Sequence, residues 1–312
     1  MTARVVCVTL NLALDITYVG EQFAAGEVNR VGQVHAHAGG KGVNVARLLK
    51  QAGRNVIITG FAGGLVGDEI GVHLDEWGVQ HRLVRCAASS RRTVTAFSTA
   101  DGSATAYYEN GPLITAAEWS RFTGGFSDLV RGASLVVLSG SLPPGLPVDA
   151  YRMLAELAAQ AGAAAFIDAR GAPLRAALPA RPALVKPNER ELAEAVGLEM
   201  PVSVAAAADA ARRLVADGAA SVVVSLGARG LLGVAPDSTL LATPPTVAGN
   251  PAGAGDAALA ALVDGHLADR PWPERLRLAA TMSAAAVRQH VAGVVHPGDI
   301  TELAAQVKIY KR

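Results

Sequence analysis

The chain has 312 residues, of which 51% are hydrophobic and 18% charged, and its formal net charge at pH 7 is +1. This length suits one large core, and a near-neutral chain of this apolar content is neither an extended disordered protein nor a general binder of nucleic acid or acidic membranes. The two cysteines, Cys7 and Cys86, lack metal-ligand spacing and no apolar run is long enough to span a membrane, so we expect a cytoplasmic protein without an export signal.

Short β-branched runs alternate with Ala- and Leu-rich segments of helical periodicity along the chain. The strands predicted from this alternation cover residues 4–9, 56–61, 135–139, 165–168, 184–186 and 222–226. Such alternation is typical of a mainly parallel sheet with helices on both faces, where ligands bind beyond the carboxyl ends of the strands. We therefore predict an α/β fold in which residues 1–312 form a single domain.

One part of the chain departs from this alternation. Two β-prone segments flank the turn-forming pair Asp101 and Gly102, and residues 16–37 also have an extended pattern. They predict a small antiparallel sheet formed by about residues 12–38 and 90–110, inserted in the core. Because so small a sheet buries little surface alone, we expect it to close over a pocket as a lid, pair with another subunit, or do both.

The first candidate ligand-binding residues lie near the amino terminus. Asn11 and Asp15 follow the first strand, where they can accept hydrogen bonds from hydroxyl groups or simply form a turn. The glycines from Gly39 precede a helix predicted to run to about residue 52. Lys41 and Asn44 share a face at its start, so they can bind sugar hydroxyls or a phosphate. An ordinary glycine turn with a solvated polar face is the alternative.

Three later strands are followed by segments whose residues can bind a ligand. Residues 139–145 (SGSLPPG) form a loop whose conformation is restricted by its prolines, and in a purely structural interpretation this loop only ends the strand. Asn188 and Glu191 have the spacing of a helix capping box, and they also suit a hydrated Mg²⁺ ion. Residues 225–230 (SLGARG) form a glycine loop that can hold nucleotide phosphates.

The sharpest local signal is the segment Gly253, Ala254, Gly255 and Asp256, which precedes a helix predicted over residues 257–267. Small residues at a helix start let a phosphate approach free backbone amides, and an adjacent carboxylate can accept the proton of an attacking hydroxyl. A simple helix cap is one alternative. A dinucleotide-binding GxGxxA fingerprint is another, but the segment lies far from the first strand–helix unit and lacks a clear acidic partner.

Taken in order, these segments resemble the PfkB sugar kinases of the ribokinase superfamily, in the branch of 1-phosphofructokinase, tagatose-6-phosphate kinase and the minor 6-phosphofructokinase. The resemblance is carried by residues 39–46, 139–145, 186–192, 225–230 and 253–256. It implies a ribokinase-like fold, an ATP- and Mg²⁺-dependent phosphotransferase, and a lid that forms a homodimer clasp. Leu12, Pro251 and the segment 89–93 depart from the usual pattern of that branch.

The resemblance also implies a role for each motif. Asp256 is the implied catalytic base, and Gly253, Ala254 and Gly255 form the implied anion hole. The implied sugar-binding residues are Asn11, Asp15, Gly39, Gly40, Lys41, Asn44, Arg91 and Ser139, with Arg91 gripping a phosphate already on the substrate. The implied nucleotide-binding residues are Lys186, Asn188, Ser225, Gly227 and Gly230. Asn188 and Glu191 are implied to organise Mg²⁺ through water.

The expected reaction is phosphorylation of a small phosphorylated ketohexose, with D-fructose 1-phosphate favoured and fructose 1,6-bisphosphate as its product. Tagatose 6-phosphate, fructose 6-phosphate and other hexoses stay open as acceptors, because the two ends of a β-ketofuranose are related by an approximate two-fold axis. An NAD(P)-dependent oxidoreductase and a non-catalytic sugar-binding protein are more distant alternatives. No nucleic acid or membrane partner is expected.

Overall fold

The structure is a computed structural model that describes residues 3–289 and 291–312. Its strands are, in chain order, β1 (Arg4–Asn11), β2 (Ala13–Gly20), β3 (Gln33–Gly39), β4 (Asn55–Ala62), β5 (Gln80–Arg85), β6 (Arg91–Ser98), β7 (Ala104–Tyr108), β8 (Leu135–Ser139), β9 (Ala164–Asp168), β10 (Leu184–Val185), β11 (Val222–Ser225), β12 (Leu231–Ala235), β13 (Ser238–Thr243) and β14 (Lys308–Lys311). Its α-helices are α1 (Lys41–Gln51), α2 (Gly64–Glu76), α3 (Ala116–Leu129), α4 (Ala150–Gln160), α5 (Gly171–Ala177), α6 (Glu189–Val196), α7 (Val204–Ala216), α8 (Ala254–Leu267), α9 (Trp272–Val287) and α10 (Pro297–Ala304).

A ten-stranded sheet forms the centre of the molecule, in the order β14-β13-β12-β11-β10-β9-β8-β1-β4-β5. The pairs from β5 to β11 are parallel, and β12, β13 and β14 extend the sheet in antiparallel fashion. Since parallel strands end at the same edge, the segments that follow β1, β8, β9, β10 and β11 meet there. The mainly parallel sheet expected from the sequence is confirmed.

Helices cover both faces of this sheet. Helices α3 to α7 contribute buried side chains to the core on one face, and α1, α2, α8, α9 and α10 contribute to the core on the other. Successive residues of β1 alternate between the two cores, with Val6 and Val8 in one and Val5 and Cys7 in the other, as the two-residue period of a strand requires. The apolar residues of β1 are fully buried for this reason.

A second, four-stranded sheet has the order β3-β2-β6-β7. Its outer pairs, β2 with β3 and β6 with β7, are antiparallel as expected. Its central pair, β2 with β6, is parallel because the two strands come from separate excursions of the chain rather than from one hairpin. One face of this small sheet looks towards the carboxyl ends of the central strands.

The predicted elements agree with the structure in position, with shifts at their ends. The central strands begin and end within two residues of the expected limits, and α1 ends one residue earlier than expected. The second glycine-associated helix, α8, begins at Ala254, so Asp256 lies inside its first turn rather than before it. Strands β5, β12, β13 and β14 were not expected from the sequence. Across residues 3–289 and 291–312, no helix is both long and apolar enough to cross a membrane.

Candidate active site

The candidate site is a cleft of about 1570 Å³ between the carboxyl ends of the central strands and the small sheet. Most of the expected site residues line it together: Asn11, Asp15, Gly40, Lys41, Asn44, Arg91, Lys186, Asn188, Glu191, Ser225, Gly227, Gly230, Gly253, Ala254, Gly255 and Asp256. Segments far apart in the sequence therefore converge on one space.

Two expected site residues do not line the cleft. Gly39 lies behind Asp15, where an added Cβ atom would stand only 2.0–2.4 Å from the carboxyl atoms, so its lack of a side chain makes room for Asp15. Ser139 is fully buried at the end of β8, opposite Asp168 on β9. Both residues support the site from behind in this structure.

The start of α8 provides backbone amides for an anion. Gly253 has a φ angle of 80°, a left-handed conformation that favours glycine, and it contributes no side-chain cap. A Cβ atom at Gly253 would also stand 2.7 Å from the Cβ of Ala292, which closes the loop over it. The first-turn amides of a helix lack intrahelical acceptors, so those at Gly255 and Asp256 can bind an anion in the cleft.

Asp256 is held at this helix start with 6% of its surface exposed. Its Oδ2 atom accepts a hydrogen bond of 2.8 Å from Nδ2 of Asn44 on α1. Burial, followed by the negative charge of Asp168, raises the pKa of the Asp256 carboxyl to about 6. The ammonium groups of Lys41 and Lys186 and the Asn44 hydrogen bond act in the opposite direction. A carboxylate with a pKa near neutrality is suited to take up and release a proton.

Two lysines flank a buried carboxylate beside Asp256. The Nζ atom of Lys41 lies 2.8 Å from Oδ1 of Asp168, and Nζ of Lys186 lies 3.0 Å from Oδ2. Burial opposes ionisation of Asp168, but the two ammonium groups outweigh it and lower the pKa of that carboxyl. Lys41 also contacts Oε1 of Glu191 at 3.2 Å. Asp168 therefore fixes both cations at the floor of the cleft.

Asp168 was not identified from the sequence as a site residue. It is the last residue of β9, and a polar side chain at a strand end was the signal used for Asp15. Asn110 and Gly111 were also missed, although both line the cleft after β7. A Cβ atom at Gly111 would stand 2.1 Å from Oδ1 of Asn11, so this glycine admits the Asn11 side chain.

Asn188 and Glu191 form the capping box that their spacing predicts. The Asn188 Oδ1 atom accepts a hydrogen bond from the Glu191 amide, and Oε2 of Glu191 accepts one from the Asn188 amide, both at 2.8 Å. With its other oxygen facing Lys41, Glu191 has both carboxylate oxygens engaged. Among the described residues, no group of three or more His, Cys, Asp or Glu side chains is arranged to hold a metal ion. A metal ion beside this capping box would meet Asn188 and Glu191 through water, since their oxygen atoms already have partners within the protein.

The small sheet presents Asp15 and Arg91 to the cleft. Asp15 accepts a hydrogen bond from the Thr93 hydroxyl, and its neighbours His37 and Arg91 interact with its charge. Burial raises the pKa of the Asp15 carboxyl in spite of these partners. The Nε atom of Arg91 donates to the Asn11 carbonyl at 3.3 Å. The hydrogen-bond acceptor Asp15 and the cation Arg91 thus face the same part of the cleft.

The other end of the cleft is lined by a glycine loop. Gly227 and Gly230 have φ angles of 60° and 99°, and a Cβ atom at Gly230 would stand 2.1 Å from the Ala242 carbonyl oxygen. Ser225 pairs with Asn188 in an isolated parallel bridge, which joins this loop to the capping box. The loop is open and backbone-rich, as a nucleotide phosphate site requires.

Comparison with known proteins places this geometry in context. A family model described as "pfkB family carbohydrate kinase" matches residues 2–297. The Escherichia coli phosphofructokinase-2 solved in complex with fructose-6-phosphate is 27% identical, with 98% of this chain and 99% of that chain covered and a TM-score of 0.88.

Two further solved structures share the fold. A Thermotoga maritima protein described as a possible 1-phosphofructokinase is 23% identical over 99% of both chains, with a TM-score of 0.91. An Arabidopsis thaliana ribokinase complexed with ribose and ATP is 21% identical, with 97% of this chain and 99% of that chain covered and a TM-score of 0.76. The expected ribokinase-like fold is confirmed.

Proposed function

This chain belongs to the pfkB family of carbohydrate kinases, and we propose that it transfers the γ-phosphoryl group of ATP to a hydroxyl of a phosphorylated ketohexose. As a sugar kinase it acts on a small molecule and uses ATP. The acceptor we propose first is D-fructose 1-phosphate, with fructose 1,6-bisphosphate and ADP as products. The resemblance of the ordered motifs to the branch of 1-phosphofructokinase, tagatose-6-phosphate kinase and the minor 6-phosphofructokinase supports a phosphorylated ketohexose, and it does not by itself distinguish the members of that branch.

The observation that carries the proposal is the position of Asp256. Its carboxylate lies in the first turn of α8, next to the small residues Gly253 to Gly255, and it lines the cleft. An acceptor hydroxyl and a terminal phosphate can meet between that carboxylate and the amides of the helix start. Such a site supports phosphoryl transfer rather than binding alone.

In the proposed reaction, the oxygen of the sugar hydroxyl forms a bond to the γ-phosphorus, and Asp256 accepts the proton of that hydroxyl. The bond from that phosphorus to the bridging oxygen breaks, and ADP leaves. General-base assistance of this kind contributes about 10²–10⁴-fold. The free amides of Gly255 and Asp256, together with the ammonium groups of Lys41 and Lys186, stabilise the charge on the transferring group.

Mg²⁺ is the metal we propose for this site, organised through water by Asn188 and Glu191. When bound, it supplies positive charge to the phosphate oxygens of ATP. The protein groups do the rest: Ser225, Gly227 and Gly230 line the nucleotide end, and Asp15, Lys41 and Asn44 orient the sugar.

We also propose that residues 1–312 act as one kinase domain whose small sheet, from about 12–38 and 90–110, is a lid over the cleft. Closure of the lid excludes water, which suppresses hydrolysis of ATP. The face of this sheet that turns away from the cleft is apolar, with Val34 and Tyr107 exposed, and this supports a homodimer formed through the lid. The cytosolic location expected from composition stays a prediction.

Fructose 6-phosphate is the second candidate acceptor. The E. coli neighbour with 27% identity was solved with this sugar phosphate, and the two ends of a ketofuranose offer similar groups to Asp15 and Arg91. Tagatose 6-phosphate belongs to the same group of alternatives. The dinucleotide interpretation lacks its structural context, because residues 244–253, without strand structure, separate β13 from α8.

An ADP-release assay with and without Mg²⁺ tests the proposal across fructose 1-phosphate, fructose 6-phosphate, tagatose 6-phosphate and free hexoses. We expect the highest kcat/KM with fructose 1-phosphate, and Asp256→Asn should lower kcat by about 100-fold or more while ATP still binds. Asp264→Asn is the matched control, since Asp264 lies on the same helix but pairs with Arg54 outside the cleft.

Each result of this assay has a defined meaning. Near-normal turnover by Asp256→Asn would remove Asp256 from the role of base. A preference for fructose 6-phosphate selects the second candidate, and a preference for free hexoses contradicts the phosphorylated acceptor. ADP release that needs no sugar contradicts the proposed phosphotransfer.

A further inference from the structure

A polar row crosses the small sheet on the face that lines the cleft. Asp15 on β2 lies directly opposite His37 on β3 and opposite Thr93 on β6, and Thr93 lies opposite Tyr108 on β7. Side chains opposite one another across a ladder share a face and interact. All four line the cleft. His37 therefore belongs to the same surface as Asp15, although no function has been assigned to it above.

The charged groups around His37 come from each element packed against it. Asp15 faces it from β2, where it also interacts with the Arg91 guanidinium of β6. Arg47 faces it from α1 and stacks over the ring of Trp77, which follows α2 and lies 6.1 Å from the imidazole between ring centroids. On α2 itself, His73 lies one turn before Trp77 on the same side of the helix.

These surroundings disfavour the protonated form of His37 in the free protein. Burial lowers the pKa of the imidazole, and the positive charge of Arg47 adds to the effect, whereas the Asp15 carboxylate opposes it. The ring atom Nδ1 is shielded from solvent. A further negative charge in the cleft would change this balance and favour the protonated ring.

The small sheet contributes one cation, Arg91, to the end of the cleft proposed for the sugar phosphate. The cationic side chains among the described residues that line the whole cleft are the five Lys41, Arg91, Arg170, Lys186 and Arg190. The acidic side chains that line it are the six Asp15, Glu109, Asp168, Glu189, Glu191 and Asp256. At the small-sheet end of the cleft, Arg91 has the carboxyl groups of Asp15 and Glu109 as its charged neighbours, and His37 adds no charge while it is neutral. A phosphorylated sugar brings further negative charge into this space, so one more cation stabilises the complex.

We propose that His37 is a specificity-determining residue that takes up a proton from solvent when the phosphate of the sugar occupies the cleft beside Arg91, and releases it when the product leaves. The imidazolium then forms a charge-assisted hydrogen bond or ion pair with the phosphate. An unphosphorylated sugar carries no such charge and leaves the ring neutral. His37 thus favours phosphorylated over free sugars, an inference that rests on the proposed function and deepens it.

The chain provides a matched control on the same strand. His35 lies two residues before His37, on the same face of β3, but opposite Thr17 and outside the cleft lining. The variants His37→Gln and His37→Asn replace the imidazole by neutral amides on side chains of different length. His35→Gln makes the same chemical change two residues earlier on the same face of β3. The second His37 variant serves if the first does not fold.

Isothermal titration of fructose 1-phosphate in two buffers of different ionisation enthalpy at pH 7 measures the protons taken up on binding. We expect wild type and His35→Gln to take up more protons than either His37 variant, by up to about one per site. In steady-state kinetics, the His37 variants should raise KM for the sugar phosphate roughly 10-fold, with kcat and KM for ATP little changed. The ionisation of the sugar phosphate is common to all variants and cancels in the comparison.

Equal proton uptake by the His37 and His35 variants, or an equal rise of KM for free fructose and for fructose 1-phosphate, would overturn the inference. Failure of the proposed function gives a different result, because wild type would then release no ADP with any sugar phosphate. If the assay selects fructose 6-phosphate, that compound replaces fructose 1-phosphate as the titrant.

Discussion

Among single residues, the proposed chemistry depends most on the burial of Asp256. Solvent exclusion raises its pKa, and the Asn44 hydrogen bond limits that rise. The sequence identified Asp256 and Asn44 separately, 212 positions apart, but not their contact. Only the folded chain shows that the amide of α1 tunes the carboxylate of α8.

A pH profile tests this tuning. Asp256 must be ionised to accept a proton, so log kcat/KM should fall as the pH drops below about 6, where the carboxyl becomes protonated. Asn44→Ala removes a hydrogen bond that favours the ionised form, so its acid limb should move to higher pH. Steady-state rates from pH 5 to 9 measure the acid limb of wild type and that of Asn44→Ala. Superimposable limbs would show that the hydrogen bond does not set the ionisation of the base.

Asp168 is the residue whose importance only the structure shows, because its two lysines come from distant segments. Removing its charge leaves Lys186, which is 2% exposed, without its carboxylate partner. We expect Asp168→Asn to lower the free energy of unfolding by about 3 kcal/mol, the order found when one partner of a buried pair is removed.

Urea unfolding measures this loss, and two further variants interpret it. The double variant Asp168→Asn/Lys186→Met should be more stable than the sum of its single changes predicts, because it removes the uncompensated cation as well. Asp68→Asn breaks the exposed pair with Arg85 and should leave the midpoint nearly unchanged. Strict additivity in the double variant would contradict the electrostatic explanation.

At the scale of helices and strands, the two capping boxes allow a direct comparison. Asn188 with Glu191 starts α6 in the cleft, and Thr115 with Glu118 starts α3 outside it. The local spacing predicts a cap in the first case regardless of function, so the sequence could not separate a cap from a metal site. The fold separates the two helices by position.

Asn188→Ala and Thr115→Ala should each lower the free energy of unfolding by about 1 kcal/mol, because each removes one side-chain acceptor from a helix start. Only Asn188→Ala should also raise the Mg²⁺ concentration that gives half the maximal rate. Urea unfolding and Mg²⁺ titration of the rate measure the two effects. If both variants respond to Mg²⁺ as wild type does, Asn188 acts as a cap alone.

The predictions of helices and strands were correct where a local sequence pattern is enough to specify the element. The apolar runs at β1 and β8 predicted these two strands, and the glycines before Lys41 predicted where α1 begins. Strands β12 and β13 form a local hairpin across Pro236 and Asp237, whose turn signal was overlooked, whereas β14 pairs with β13 from the far end of the chain. Pairing over such a distance leaves little local signal.

At the scale of the whole molecule, the small sheet has two different faces. The cleft face carries the polar row, whereas the opposite face carries Ile16, Val34, Val94 and Tyr107 in neighbouring positions of its ladders. An apolar face that remains exposed, here with Val34 at 57%, favours association with a second copy.

Val34→Lys should therefore shift the protein from dimer to monomer, because it places a charge in the proposed contact. Val148→Lys is the matched control, since Val148 is 51% exposed just before α4, whose buried residues belong to the core on the other face of the central sheet. Sedimentation velocity over a range of protein concentrations measures the oligomeric state. A monomeric wild type, or an unchanged dimer in Val34→Lys, would contradict association through the lid.

Local patterns in the chain were enough to predict the alternation of strands and helices, the family motifs and a carboxylate beside a glycine-lined helix start. These follow from local periodicity and from residues close together in the chain. Only the folded chain brings Lys41 and Lys186 to Asp168 and sets His37 opposite Asp15. Such contacts depend on which strand ends and sheet faces meet, and burial then sets the charges of the groups brought together.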